Sequence, residues 1–292
     1  MSATESVSTK AGSIFPAHIK KLGIIAGGGQ LPVQLAESCE AHGVQVFICA
    51  FDGQSDHAVV EGREHMWTSI GAAGKIMKTL KDHDVHDLVL IGNIRRPSLA
   101  ELKPDFKTAE FFARIGFKAL GDNDILELLK SELNREGFTI HGVQNFMQDL
   151  LAPHGVVGKY KPGKGEIESI RRGVIVSQEI GRLDVGQSVI VQQGHIIGVE
   201  GAEGTDELMK RCKGYLRKGG GAILVKTCKP IQHKDLDLPT IGPDTIMVAY
   251  ESGLSGIVVE AGNSLFLQPN TARDIADKHK IFIMGITIAD YV

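Results

Sequence analysis

Apolar residues in this chain gather in short runs closed by turn formers, and the runs alternate with stretches in which apolar side chains recur every three or four positions. Residues 22–26 (LGIIA), Val44 to Phe51 and residues 87–91 (DLVLI) are runs of the first kind, and they predict buried strands. Residues 33–43 (VQLAESCEAHG) and 71–83, where Ile76, Met77 and Leu80 fall at helical spacing, predict the helices between them. Such alternation implies a parallel sheet with crossover helices. Residues 109–120 and the segment opened by Gly121-Asp122-Asn123-Asp124 read as two more helices, with Asp122 or Asp124 placed to cap free N–H groups. Phe138 to Val143 then reads as a strand and Val143 to Leu151 as a short helix.

Residues 152–165 lack hydrophobic periodicity and are rich in Gly, Pro and Lys, so they are taken as a linker between a domain at 19–151 and another at 166–292. The second domain opens with a helix over 166–182. SVIVQQ and HIIGVEG, joined around Gly194, form a hairpin, and Ala222 to Val225 is a further buried strand. A helix from Pro243 to Ser252 and strands at GIVVEA and IFIMGI complete it. The fold class is therefore α/β in two domains, an N-terminal Rossmann-like parallel sheet and a C-terminal mixed α/β domain. Residues 1–18 hold too few apolar side chains to offset the entropy of ordering them and are expected to be a disordered tail.

Composition excludes several partners. A formal net charge of -3 over 292 residues does not suit a general nucleic-acid binder, which needs clustered Lys and Arg. The four cysteines lie far apart with no CxxC pair, so neither a disulfide framework nor a zinc site is expected, and a cytoplasmic protein fits. No run approaches the ~20 apolar residues needed to span a bilayer.

The densest chemistry is at 226–243, KTCKPIQHKDLDLPTIGP, directly after the strand ending at Val225. Ligands of open α/β sheets collect beyond the carboxyl ends of strands. Lysines there suit phosphate oxygens, and an Asp near prolines suits a hard cation such as Mg²⁺. A solvated loop is the plain alternative. Gly27-Gly28-Gly29-Gln30 follows the first strand, but Pro32 stands where the dinucleotide fingerprint needs glycine and no GKS or GKT follows. NAD and P-loop readings are thus rejected, leaving either a seat for a phosphate or nucleotide edge or a tight turn. Asn93 and Arg96 end another strand, where an amide can bond a base or sugar and a guanidinium can fork a phosphate. Glu200, Glu203 and Asp206 at a helix start either hold a divalent metal or favour the helix dipole.

Taken together, KLGIIAGGGQLP, GNIRRP, Gly121-Asp122, REGF, EIGRLDVGQ, GVEGAEGTDELM, KPIQ, DLPTIGPDTI and SGLSGIVVEAG occur in an order that resembles the LpxI-type UDP-2,3-diacylglucosamine pyrophosphatases of lipid A biosynthesis in Gram-negative bacteria, from about Lys20 to Ile288. The resemblance implies a two-domain enzyme with its site in the cleft between the halves, and hydrolysis of UDP-2,3-diacylglucosamine by water attack on the β-phosphorus. The products would be UMP and 2,3-diacylglucosamine 1-phosphate (lipid X), and Mg²⁺ the cofactor. It implies that Asp237 is the essential carboxylate, as metal ligand or water-orienting group, with Lys226 and Lys229 neutralising phosphate charge. Asp122, Glu200 and Glu203 are then further candidates for the metal. Gly28, Gly29, Gln30, Asn93, Arg96 and Gly121 are candidates for substrate contact in the first half, and Gln187, Thr205, Gln232, Thr240 and Gly242 in the second. Two positions depart from the family pattern. Asp235 stands where family members commonly carry Arg, and Asn123 where many carry a second Asp. They leave open a paralogue acting on another UDP-sugar, or a non-catalytic nucleotide- or lipid-binding protein of the same fold. The acylated substrate also implies peripheral contact with the inner membrane and is compatible with a homodimer.

Overall fold

The computed structural model describes residues 15–16, 18–95, 104–115, 122–230 and 238–292. The tail up to residue 14 and residue 17 lie outside them, as do 116–120 of the helix expected over 109–120. The first half builds one sheet from β1 (Lys21–Ala26), β2 (Gln45–Phe51), β3 (Glu64–Thr68), β4 (Asp87–Ile91) and β5 (Thr139–Ile140). Its order is β3-β2-β1-β4-β5, and every pairing is parallel. Buried on both faces, β1, β2 and β4 are the near-continuous apolar runs that the pattern singled out. Helices α1 (Leu31–Ala41), α2 (Ala73–Asp82), α3 (Phe106–Ile115) and α4 (Asp122–Arg135) accompany the sheet. Strand order reverses between β1 and β4, which makes their carboxyl ends the topological switch point.

The second half carries a mixed sheet of β6 (Gly155–Val157), β7 (Ser188–Gln192), β8 (His195–Val199), β9 (Ala222–Lys226), β11 (Gly256–Glu260) and β13 (Phe282–Ile286), in the order β6-β13-β11-β9-β7-β8. The central β9, β11 and β13 run parallel, while β6 and the β7–β8 hairpin are antiparallel additions at the two edges. A short pair, β10 (Thr240–Ile241) with β12 (Leu265–Phe266), lies apart from it. Helix α5 (Lys164–Arg182) presses on β9 so closely that a Cβ at Gly173 would stand 2.5 Å from Val225 Cγ2. Helices α6 (Thr205–Cys212), α7 (Pro243–Glu251) and α8 (Pro269–His279) complete the half.

Several elements differ from the sequence pattern. β6 falls inside the segment read as linker, because Gly155-Val156-Val157 shows no periodicity of its own and becomes a strand only by pairing with β13. The strand expected over 138–143 is reduced to Thr139–Ile140. The helix expected over 143–151 is a pair of 3-10 turns, Val143–Asn145 and Gln148–Leu150. These turns still bury Val143, Phe146 and Met147, which is what their spacing encodes. The same apolar cluster contains Leu238 and Leu265 from the second half, packed with Ile24 and Val89 of the first sheet. The backbone continues the link, since Ala152 N donates to Ser264 O at 2.8 Å and Gly262 N donates to Ala152 O at 2.9 Å.

Candidate active site

At the switch point the chain needs glycine for close approach. A Cβ on Gly27 would lie 2.6 Å from Asn93 O, and Gly92 has a positive φ of 97°. Gly28 and Asn93 exchange backbone hydrogen bonds of 2.8 and 2.9 Å, and Gln30 is the N-cap of α1. The structure thus brings Gly28, Gly29, Gln30 and Asn93 together. It adds two residues from the turn after β2. Asp56 Oδ2 accepts the Gly29 N–H at 2.7 Å, and the Gln54 amide bonds both backbone groups of Arg95, accepting its N–H at 2.9 Å and donating to its carbonyl at 3.1 Å. With a carboxylate already on the Gly29 N–H, this corner suits a ligand edge that offers hydroxyl or N–H donors better than it suits a phosphate.

The second cluster forms where β9 ends. Lys226 is 8% exposed, and its Nζ donates to Thr205 Oγ1 at 3.1 Å and to Thr240 O at 3.2 Å. Thr205 donates in turn to Glu200 Oε1 at 2.7 Å, while Glu200 Oε2 accepts the Gln187 N–H at 2.9 Å. One residue on, the buried Thr227 meets Ser177 and Gln178 of α5, and Cys228 N donates to Glu260 Oε2 at 3.0 Å. Lys229 Nζ lies 2.7 Å from Asp184 Oδ1, each side chain 16% exposed. Asp184 Oδ2 and Gln187 Oε1 are buried and accept no hydrogen bond from the described residues. The segment after β9 is thereby pinned from α5, from β11 and from the turn that follows α5.

Glu203 lies elsewhere on this edge. It pairs with Arg211 at 2.6 Å, and that guanidinium holds its carboxyl below the usual range. The two residues help line an open groove of about 600 Å³. Gly242 caps α7, its N–H donating to Thr245 Oγ1 at 3.3 Å. Asp122 is the first residue of α4. Arg96, Gly121, Gln232 and Asp237, together with Asp235, lie outside the described residues.

A profile of the LpxI N-terminal domain matches residues 21–150 and one of the LpxI C-terminal domain matches 153–284. A curated relative, the UDP-2,3-diacylglucosamine pyrophosphatase LpxI of Caulobacter vibrioides, is 35% identical over 278 residues, which cover 92% of this chain and 98% of the relative. The chain belongs to the LpxI family. It is thus an α/β member of a hydrolase family, and the two profile matches part where this LpxI chain leaves its first sheet.

Sequence reasoning on this LpxI chain passed over Asp56, Gln54, Asp184, Gln178 and Glu260. Asp184 carried a usable signal, since a non-glycine residue directly after a helix, where glycine or asparagine is usual, hints that its side chain has work there. The others act across 27 to 49 residues of separation, and spacing does not reveal such pairs.

Proposed function

We propose that this LpxI chain hydrolyses the pyrophosphate of UDP-2,3-diacylglucosamine in lipid A biosynthesis, releasing UMP and 2,3-diacylglucosamine 1-phosphate. The supporting observation is its likeness, over nearly the whole length of both chains, to a relative that bears this activity in its name. Water would add to the β-phosphorus as the bridging P–O bond breaks, with UMP keeping the bridging oxygen. Lys226 and Lys229 stand at the carboxyl end of a central strand, where their charge would oppose the charge of a phosphoanhydride.

Mg²⁺ is part of the proposal. Such an ion, held chiefly by substrate phosphates, needs only one or two carboxylates from the protein. Glu200 fits that task poorly, since both its oxygens accept internal hydrogen bonds, and Glu203 is bound to Arg211. Among the described residues no group of three His, Cys, Asp or Glu side chains is placed to hold an ion. The carboxylate proposed to hold the ion is Asp237, and Gln187, whose backbone carbonyl accepts the Thr227 N–H at 3.1 Å, keeps a buried side-chain Oε1 with no hydrogen bond from the described residues as a neutral oxygen. Bound there, Mg²⁺ would supply charge neutralisation at the phosphate oxygens.

No described helix is long and apolar enough to cross a membrane. Peripheral contact with the inner membrane from the cytoplasmic side belongs to the same proposal. Leu183 and Val185, 74% and 49% exposed, present apolar surface on either side of Asp184.

The deciding experiment follows UMP release from UDP-2,3-diacylglucosamine with Mg²⁺ or with EDTA. Release in Mg²⁺ alone is expected, and Asp237→Ala should slow it at least ~100-fold, the loss of a metal-ion effect worth several kcal/mol. Absence of UMP from the folded wild type, or near-normal turnover by folded Asp237→Ala, would overturn the assignment.

A further inference from the structure

The hydrogen-bond chain that ends on Lys226 has a direction. A buried ammonium has only donors to place, so each neighbour must present a lone pair to it. Thr240 does so with a carbonyl, which can do nothing else. Thr205 offers a hydroxyl, which could turn its proton toward the Glu200 carboxylate or toward Ser188 Oγ at 3.1 Å, and only the carboxylate must receive one. Its proton goes to Glu200 Oε1 at 2.7 Å, and this leaves an Oγ1 lone pair facing Lys226 Nζ at 3.1 Å. Glu200 cannot swing away, because its other oxygen takes the Gln187 N–H and its own N–H bonds Ser188 O at 2.9 Å. At 6% exposure it is as deeply placed as the lysine it serves.

The arrangement is not a helix cap. Gly204 is the N-cap of α6, and Glu200 receives the side-chain hydroxyl of the first helical residue and none of the helix's backbone N–H groups. We propose that Glu200 is a positioning residue. Through the Thr205 hydroxyl it aims the Lys226 ammonium, and through Lys226 it holds Thr240 O, three residues beyond Asp237. The inference rests on the hydrolytic function proposed above, in which Lys226 faces the phosphates.

Kinetics of UMP release from UDP-2,3-diacylglucosamine test it, with wild type, Thr205→Val, Thr205→Ser and Glu200→Gln compared. Thr205→Val keeps the shape and removes the hydroxyl. It should lower kcat ~10- to 100-fold, the loss expected for one hydrogen bond to a charged group, with KM within about twofold of wild type. Thr205→Ser restores the hydroxyl and should recover most of the loss, which a purely structural role for the threonine methyl would not allow. Should Thr205→Val fail to fold, Glu200→Gln replaces it, since the amide keeps the volume but removes the charge and, its NH₂ being a donor, can accept only one of the two bonds, and the same kcat-selective loss is expected. A folded Thr205→Val or Glu200→Gln enzyme turning over at the wild-type rate overturns the inference, as does a serine variant no better than valine. Lack of UMP from wild type removes the proposed function and this inference with it. Active wild type with indifferent variants removes the inference alone.

Discussion

Asp184 has a φ of 53°, a left-handed conformation that glycine adopts more easily, and it follows α5 with its N–H on Gly181 O at 3.1 Å. An aspartate here makes sense through its side chain, which holds Lys229 in an ion pair that is mostly out of water. Removing the lysine leaves a carboxylate whose second oxygen already lacks a donor among the described residues. Lys229→Met should therefore destabilise the protein by about 3 kcal/mol, the low end for breaking such a pair because some exposure remains. Adding Asp184→Asn should recover part of that loss. Urea unfolding of the single and double variants measures the coupling, and strictly additive losses would show that the two side chains do not act together. At this scale the sequence was partly legible. Lys226 and Lys229 stood out by their place after a strand, while Asp184, 45 residues away, was hidden because only the fold makes the two neighbours.

α2, α3 and the turn after α4 meet at Glu136, which accepts bonds from Lys107 at 2.6 Å and Lys81 at 3.0 Å. Lys107 first, then Lys81, holds the Glu136 carboxyl down to about 2 from its usual 4.5. A carboxyl depressed on folding stabilises above its unfolded value, and that contribution is lost as pH falls from about 4.5 through about 2. Both lysines are more than 40% exposed, so water screens the network, and Glu136→Gln should cost less than about 1 kcal/mol at neutral pH. The melting-temperature gap between wild type and Glu136→Gln should close between pH 4.5 and 2. A gap that persists at the acid end would mean that charge is not its source. Among the elements, those with dense β-branched runs or a clear helical period were legible. The ones missed were thin: β3 is Glu-His-Met-Trp-Thr at an edge, and α8 buries little more than the methyl groups of Ala272 and Ala276. Such segments take their form from what they pack against.

Across the whole molecule, the first sheet shares an apolar cluster with Leu238 and Leu265 of the second half, at the short β10–β12 pair. Leu265→Ala should cost about 2–5 kcal/mol, as for other large-to-small core changes, and should lower one cooperative transition. Two separate calorimetric transitions, only one of them shifted, would show that the halves unfold independently. The two-domain outline was legible from the Gly- and Pro-rich stretch after Leu151, but the cluster joining the halves was not, because Leu238 and Leu265 carry no mark that sets them apart from other leucines. Leu238, 5% exposed, is the residue immediately after Asp237. The proposed catalytic carboxylate is thus one peptide bond from a side chain embedded in the other half. A chimera that joined the first half of one relative to the second half of another at this junction would inherit every residue of the carboxylate's motif, yet would have to re-create the socket for one leucine before it could inherit the activity.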